Sequence, residues 1–476
     1  MSSGDSSSSS LVSSIPSIFQ VFTFYDAYLD NFYANRPALA HAPFSTQMQE
    51  LYRDGFGVLH VYAPALAELG SRASWVIANC EQAQRRWAAE NGVQVSAANW
   101  RDEILRAQIK SFAPDALYFL NSIDFDSRFT RTLETRPKAV IGWRAADIAP
   151  DIDWSDFDLI VSHLSVCREQ AIRHGARQTE YFHPSVPKFL AEVTASHQRE
   201  FDVVFTGQWT PQHHERNQII NAVAEASERE GFSFGLFLSS HGCTLPPAVA
   251  RCNRGARWGQ SMYQALRSGR VVLNAEIDLA AGEAGNMRLF ETASVGSFLL
   301  TQHQRNIARY FTPGLHIDTY QSVTELLEKV RYYLKNSTQR EAMALAAQQH
   351  IQTAFSPLVG AQKLLGFCSA LVHRETTIKK DPLTTPAQPK LDMRVELVLD
   401  IALSELSAGK FVEALLLVEQ VGETDKPVRD LQFVRGLCFG KLARFSEAAG
   451  ALEKELIFFP DNMAARELLM QVRRSA

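Results

Sequence analysis

The chain has 476 residues, of which 46% are hydrophobic and 21% charged, a balance typical of globular proteins with sizeable cores. Its formal net charge of −4 offers no basic excess, so we expect no nucleic-acid binding. The six cysteines are scattered, form no CxxC pair and fit no zinc-site spacing. They predict buried, reduced thiols, a cytoplasmic protein and no metal site.

Residues 1–14 are rich in serine, with one acidic and no basic residue. They lack the continuous apolar core of a signal peptide, and this composition predicts disorder. No apolar run approaches the ~18 residues of a spanning helix, so we expect no membrane span.

Residues 15–190 alternate apolar runs with amphipathic patterns. Ile18–Phe24 is the first predicted strand, and residues 100–112 form a helix with Ile104, Leu105 and Ile109 on one face. Further strands are predicted at 75–78, 116–120, 139–142 and 157–161. Near-continuous apolar strands separated by helices indicate a parallel sheet covered on both faces, hence an N-terminal α/β domain.

The same alternation restarts in residues 191–374 and predicts a second α/β domain. Strands are predicted at 201–205, 234–238, 271–275 and 297–300, and a helix runs from His214 to Glu228. Ser322–Glu325 has the pattern of a capping box that begins a helix to Leu334. Ligands of such domains bind at the carboxyl ends of the strands, so we expect a site in a cleft between the two domains.

Residues 375–390 contain lysines, threonines and prolines and predict a linker. In residues 391–476, the related sequences Gly409–Ala414 and Ala443–Ala448 lie 34 residues apart, which is the tetratricopeptide period. Glu455 stands where a small residue is usual. We predict two such repeats and a closing helix, which dock on the α/β domains, bind a protein partner or mediate dimerisation.

A glycine-bearing loop and a predicted helix lie between the third and fourth strands of the second domain. Gly285, Asn286 and Met287 precede or open this helix, whose free N–H groups and positive dipole end suit a diphosphate. Arg288 could add a charge-assisted bond to the phosphates, and Glu291 could accept hydrogen bonds from ribose hydroxyls. The alternative is an ordinary loop–helix junction with a solvated glutamate.

Other candidate residues follow strands of the two domains. Gly207 allows the backbone to approach a bound ligand, and His213, His214 and Arg216 either touch phosphate or are solvated at a helix start. Asp26 follows the first strand. It is either a general base for an acceptor hydroxyl or an N-cap of the next helix.

The sequence Asn-Met-Arg-Leu-Phe-Glu at 286–291, followed by Gly-Ser-Phe-Leu-Leu-Thr at 296–301, resembles the donor-site motif of the CgeB-like (spore-maturation-type) GT-B glycosyltransferases. Residues 114–119, 202–207, 262–274 and 323–334 resemble other parts of that family. The resemblance covers roughly Ile15–Val372. It implies a GT-B fold with two Rossmann-like domains facing a cleft, in which the second binds a nucleotide sugar and the first binds the acceptor. It also implies catalysis without a metal, because the helix dipole and basic residues neutralise the leaving diphosphate.

Glu283 and Glu291 are separated by seven residues, a spacing that many retaining GT-B enzymes share. By this resemblance, Glu283 is a catalytic residue near the sugar, Glu291 binds the ribose, and retention of configuration is favoured.

We therefore expect a glycosyltransferase that moves a sugar from a nucleotide-sugar donor to an acceptor hydroxyl. The helical repeats favour a protein acceptor, while a glycan acceptor stays open. One alternative is a non-catalytic scaffold that keeps a degenerate transferase fold and binds partners through its helical tail. Another is a nucleotide-sugar epimerase, whose acid and base residues the sequence does not reveal.

Overall fold

The computed structural model describes residues 15–240, 242–280, 282–373, 398–399, 402–403, 405–406, 409–421 and 427–475. The predicted disordered segment 1–14 and the predicted linker 375–390 lie outside these residues, so both stay predictions. The described residues form two compact units. The first draws on the described residues within 15–50, 61–182 and 360–373, and the second on those within 51–60, 183–359 and 398–475. The predicted domain limits stay predictions.

The first unit contains a six-stranded parallel sheet in the order β2-β1-β3-β4-β5-β6. Its strands are β1 (Ile18–Phe22), β2 (Ala73–Ile77), β3 (Ala116–Phe119), β4 (Ala139–Trp143), β5 (Leu159–Ser162) and β6 (Thr179–Tyr181). The helices begun in this part of the chain are α1 (Asp26–Ala34), α2 (Phe44–Asp54), α3 (Ala63–Glu68), α4 (Glu81–Glu90), α5 (Trp100–Phe112), α6 (Ser127–Thr130) and α7 (Ser165–Arg173). Short 3₁₀ turns occupy Pro37–His41 and Val58–His60.

The central strands of this sheet are buried on both faces, which explains their continuous apolar sequences. Tyr118 and Ile141 belong to a core on one face, while Leu117, Val140 and Ile160 belong to a core on the other. Helices cover both faces, as the alternation of apolar runs and amphipathic patterns predicts.

The second unit contains a five-stranded parallel sheet in the order β11-β10-β9-β7-β8. Its strands are β7 (Phe201–Gln208), β8 (Phe234–Ser239), β9 (Gly269–Asn274), β10 (Phe298–Gln302) and β11 (Asp318–Tyr320). Its helices before residue 357 are α8 (Phe189–Thr194), α9 (His214–Glu230), α10 (Pro247–Cys252), α11 (Gly259–Ser268), α12 (Met287–Ser294), α13 (Val323–Lys335) and α14 (Ser337–Ala354). Short 3₁₀ turns occupy Asp278–Ala280 and Ile307–Arg309.

Further helices complete the chain: α15 (Pro357–Val372), α16 (Phe411–Gln420), α17 (Leu431–Lys441), α18 (Phe445–Phe458) and α19 (Met463–Ser475). The last four surround a separate apolar core that also contacts Ala308 of the second α/β unit. A Cβ at Gly436 would lie 2.6 Å from Cγ of Leu452, so α17 and α18 pack closely at a residue without a side chain. The identification of these helices as tetratricopeptide repeats stays a prediction.

The two parallel sheets, their covering helices and the helical C-terminal region confirm the predicted α/β fold class. The helix predicted at 100–112 is present as α5, and Ser322 caps α13 by accepting a hydrogen bond from the N–H of Glu325 at 3.2 Å. The prediction omitted β6 and β11, which are sheet-edge strands of three residues each. Strands this short carry too few residues for a recognisable periodicity.

One helical stretch, Ser337–Val372, is long and apolar enough to cross a membrane by length and composition alone. It consists of α14 and α15 with a break between them at residues 355–356. Met343 and Ala344 belong to the core of the second α/β unit, and Leu364 and Cys368 belong to the core of the first.

Candidate functional site

The predicted donor-binding residues lie at the carboxyl edge of the second sheet, where the strand order reverses. Strand β9 pairs with β7 although β8 comes between them in sequence. Helices α9 and α12, which follow β7 and β9, begin on this edge. In open parallel sheets this reversal point is where ligands bind.

The loop before α12 is shaped to present a helix N-terminus. Asn286 is the N-cap, and its Oδ1 accepts a hydrogen bond from the N–H of Leu289 at 3.3 Å. Gly285 has a φ of 146°, a backbone conformation that side-chain-bearing residues rarely adopt. The first N–H groups of a helix, at Met287 and Arg288, have no acceptor within the helix, so they form a positive end that suits an anion.

Asn274, at the end of β9, fixes this loop to the sheet. Its Oδ1 accepts from Nδ2 of Asn286 at 3.2 Å, and its Nδ2 donates to Oγ1 of Thr301 at 2.9 Å. The hydroxyl of Tyr320 donates to the carbonyl of Asn274 at 2.9 Å. The start of α12 is thus held against the ends of β9, β10 and β11.

Arg288 and Glu291 lie one turn apart on α12 and bind each other. Nη1 of Arg288 is 2.5 Å from Oε2 of Glu291, and the Tyr263 hydroxyl is 3.5 Å from the other carboxylate oxygen. Burial raises the pKa of Glu291, while the charge of Arg288 opposes that rise. Glu291 is therefore buried and paired, rather than the solvated surface glutamate of the alternative interpretation.

Glu283 is buried in the loop before α12 and pairs with Arg305. Nη2 of Arg305 is 3.0 Å from Oε1 of Glu283. The next residue, Ala284, donates its N–H to Oδ1 of Asn306 at 2.6 Å. Glu283 is thus held on the segment that leads into α12.

Gly207 lies near the carboxyl end of β7, and Met287 is an exposed residue at the start of α12. A Cβ at Gly207 would lie 2.9 Å from the ring of Phe205, closer than real Cβ contacts. Close packing therefore favours glycine at this position, independently of any ligand.

Arg216, in the first turn of α9, is buried. Its Nη2 donates to the carbonyl of Gln208 at 2.7 Å, while its Nε has no hydrogen-bond partner among the described residues. Burial lowers the pKa of Arg216 to about 10, against the opposing charges of Asp278 and Glu276, so it stays cationic at neutral pH. Its burial excludes simple solvation, one of the two roles that the sequence allows for this residue.

Glu276, two residues after β9, was not predicted as a site residue. Its side chain is buried, and its Oε1 has no hydrogen-bond partner among the described residues. Burial raises its pKa to about 8, against hydrogen bonds from the Gly285 N–H and the amides of Asn274 and Asn286. An acidic residue directly after an apolar strand was the sequence signal that could have identified it.

Asp26 belongs to the first α/β unit. It is the first residue of α1, whose N-cap is Tyr25, so the alternative role of N-cap does not apply to it. Its side chain is exposed, and its Oδ1 accepts a hydrogen bond from Nδ2 of Asn79 at 2.9 Å. An exposed carboxylate at the carboxyl end of β1 has the chemistry of a general base.

A second polar cluster joins α19 to the second α/β unit. Oε2 of Glu467 lies 3.4 Å from Nδ1 of His350 and 3.7 Å from Nε2 of His316. This composition suits a metal, but the two imidazole rings are stacked 4.4 Å apart at 13°, so their in-plane lone pairs do not converge on one point. Nε2 of His350 lies 2.8 Å from the carbonyl of Tyr310, and Nδ1 of His316 accepts from the N–H of Thr312. The arrangement is better suited to a docking contact than to a metal centre.

The carboxyl edge of the second sheet therefore combines a helix N-terminus with two arginines, one of them buried. Arg216 and Arg288 are close enough for each charge to act on the other. A diphosphate would relieve that repulsion and accept hydrogen bonds from the free N–H groups. The buried carboxyls around it could accept hydrogen bonds from sugar hydroxyls.

Residues 195–366 match the family model described as "Glycosyl transferase-like". The comparison with curated proteins gives no match. Among solved structures, HepE (Alr3699) of Anabaena in complex with UDP-glucose is similar with a TM-score of 0.48 and 10% identity, over 75% of this chain and 100% of that one.

Two further solved structures are similar to this chain. A glycosyltransferase of Rickettsia africae has a TM-score of 0.47 and 9% identity, over 75% of this chain and 99% of that one. AviGT4, from avilamycin A biosynthesis, has a TM-score of 0.44 and 14% identity, over 66% of this chain and 89% of that one.

Proposed function

We propose that this protein is a glycosyltransferase that moves a sugar from a nucleotide-sugar donor to an acceptor hydroxyl. The glycosyl transferase-like match spans residues 195–366, and it includes the start of α12 and both arginines. The observation that carries the proposal is the meeting of the α12 N-terminus with Arg216 and Arg288 at the strand-order reversal.

In this proposal the diphosphate of the donor binds the N–H groups that open α12. Arg288, now paired with Glu291, bridges that carboxylate and a phosphate, and Glu291 accepts hydrogen bonds from the ribose. Glu283, held by Arg305, faces the sugar. The separation of Glu283 and Glu291 favours a retaining reaction, and the motif at residues 286–301 favours the CgeB-like group.

The negative charge that develops on the leaving diphosphate is stabilised by preorganised donors in this site. Backbone N–H groups and arginines supply such donors without a metal ion, so we propose a metal-independent transfer. Asp26 is our candidate for the base that deprotonates the acceptor hydroxyl. The acceptor is a protein or a glycan, and the helical C-terminal region is its proposed recruiting surface.

Nucleotide binding tests this proposal. Isothermal titration calorimetry with uridine and guanosine diphosphate and their sugar conjugates is expected to show binding of at least one. Glu291→Ala should weaken that binding by roughly 1–3 kcal/mol, because charged hydrogen bonds are lost.

Glu328→Ala is the matched control, since Glu328 is an exposed glutamate on α13. It should leave the affinity unchanged. Wild-type affinity in Glu291→Ala would contradict the ribose assignment. Absence of binding by every nucleotide would favour the alternative of a non-catalytic scaffold that uses its helical tail.

A further inference from the structure

The carboxyl group of Glu276 lies at the anion-binding end of α12 itself. Its residue is 5% exposed, and the Gly285 N–H and the Asn286 amide interact with it. These groups belong to the loop and N-cap that precede the free N–H groups of the helix. A carboxyl group and a diphosphate would therefore share one small, buried region.

The surroundings of Glu276 do not satisfy it as a structural carboxylate. Its Oε1 has no hydrogen-bond partner among the described residues, although a buried polar atom left unpaired costs free energy. The groups that face it are Arg216 from α9 and the hydroxyl-bearing Tyr320 from β11, with Asp278 also acting on Arg216. One buried cation, which also interacts with Asp278, faces a carboxyl whose Oε1 has no hydrogen-bond partner among the described residues.

We propose that Glu276 is a further donor-binding residue, which in its protonated form donates a hydrogen bond to a phosphate oxygen of the nucleotide diphosphate at α12. This inference rests on the proposed function. It adds a neutral carboxylic acid to a site otherwise made of cations and backbone N–H groups.

Electrostatics explains why the protonated form of Glu276 is the one that binds a diphosphate. A carboxylate beside a diphosphate in a buried site would repel it, whereas a carboxylic acid donates one hydrogen bond and carries no charge. Burial already raises the pKa of Glu276 to about 8, so the acid form is present at neutral pH before any nucleotide arrives. A bound diphosphate adds negative charge and favours that form further. Above about pH 8 the carboxyl of the free protein is mostly ionised, so nucleotide binding must take up a proton.

The test is nucleotide affinity as a function of pH, with uridine and guanosine diphosphate as probes, in the wild type, Glu276→Gln and the control Glu328→Gln. Wild-type affinity should fall about tenfold between about pH 7 and pH 9, because a group with a pKa near 8 must be reprotonated. Glutamine keeps a neutral donor, so Glu276→Gln should lack this fall. Glu328→Gln should keep it.

Ionisation of the nucleotide itself does not cause the expected difference in pH dependence between the wild type and Glu276→Gln. Its terminal phosphate ionises near pH 6, and ionisation of its base is common to all three proteins. Titration calorimetry in buffers of different ionisation enthalpy gives a second readout. It should show uptake approaching one proton per nucleotide near pH 9 in the wild type and none in Glu276→Gln.

The outcomes separate this inference from the proposed function. If the nucleotide binds and the wild type and Glu276→Gln share one pH dependence, the role of Glu276 is wrong and the glycosyltransferase proposal stands. If no nucleotide binds any of the three proteins, both proposals fail. If Glu276→Gln does not fold, proton uptake by the wild type is the deciding measurement. Uptake near pH 9 supports the role of Glu276, and its absence contradicts that role.

Discussion

Glu455 shows how a residue that departs from a repeat pattern is accommodated. It is fully buried in α18, and its carboxylate accepts hydrogen bonds from the N–H groups of Asp430 and Phe433 and from Nδ2 of Asn462. It therefore supplies acceptors for N–H groups at the start of α17. A small residue at this position would leave those donors unpaired.

We predict that Glu455→Ala lowers the free energy of unfolding by roughly 1–3 kcal/mol, because buried donors lose their acceptor. Chemical denaturation followed by circular dichroism measures this. Glu453→Ala on the same helix is the control, since Glu453 forms an exposed ion pair with Arg473 and should cost no more than about 1 kcal/mol. Equal losses in the two variants would contradict the capping role of Glu455.

At the scale of elements, the contact of α19 with α14 ties the C-terminal helices to the second α/β unit. Glu467 on α19 meets His350 on α14 and His316 on the loop after β10. A hydrogen bond and charge from His350 lower the pKa of Glu467, while burial lowers the pKa of His316 to about 3. The folded state thus prefers a charged Glu467 and a neutral His316.

Both pKa shifts make the folded state less stable as the pH falls. A depressed carboxyl pKa stabilises the fold above its unfolded value and loses that contribution as pH falls. A depressed histidine pKa means that the unfolded chain takes up a proton below about pH 6.5 while the folded chain does not. We predict that the unfolding temperature falls as pH is lowered from about 6.5 to 4, and that His316→Gln reduces this dependence. Scanning calorimetry over this range measures it, and an unchanged slope in His316→Gln would contradict the assignment.

At the scale of the whole molecule, the helical C-terminal region is part of the second compact unit. Its apolar core contacts Ala308, and Glu467 covers His316 and His350. Removing it would therefore expose buried groups of the unit that carries the proposed donor site. The region has a structural role in addition to any part in recruiting an acceptor.

We predict that a chain ending at His373 has an unfolding temperature lower by roughly 2–4 °C or more, which corresponds to about 1 kcal/mol lost. The shift should exceed that of Glu467→Gln, because the apolar contacts are lost as well. Thermal unfolding of the wild type, the truncated chain and Glu467→Gln, with and without uridine diphosphate, measures these shifts in unfolding temperature. An unchanged unfolding temperature in the truncated chain would show that the contact contributes nothing to stability.

Sequence by itself determined the class of fold and several of its longer elements. Buried parallel strands need apolar residues on both faces, so local sequence patterns predict β3 and β4. Local patterns likewise predict helix α5 and the capping of α13 by Ser322. Glycine, asparagine and arginine in one short segment also predict a donor site in the loop before α12, and that assignment stays a prediction.

Only the tertiary structure decided which distant side chains share a site. The pairing of β9 with β7 rather than with β8 brings Glu276 and Arg216, 60 residues apart in the printed sequence, to one edge of the sheet. Burial then gives these two groups their shifted pKa values, and it does the same for His316 beside Glu467. Burial and strand order depend on contacts between segments far apart in the chain, and no local pattern of residues encodes them.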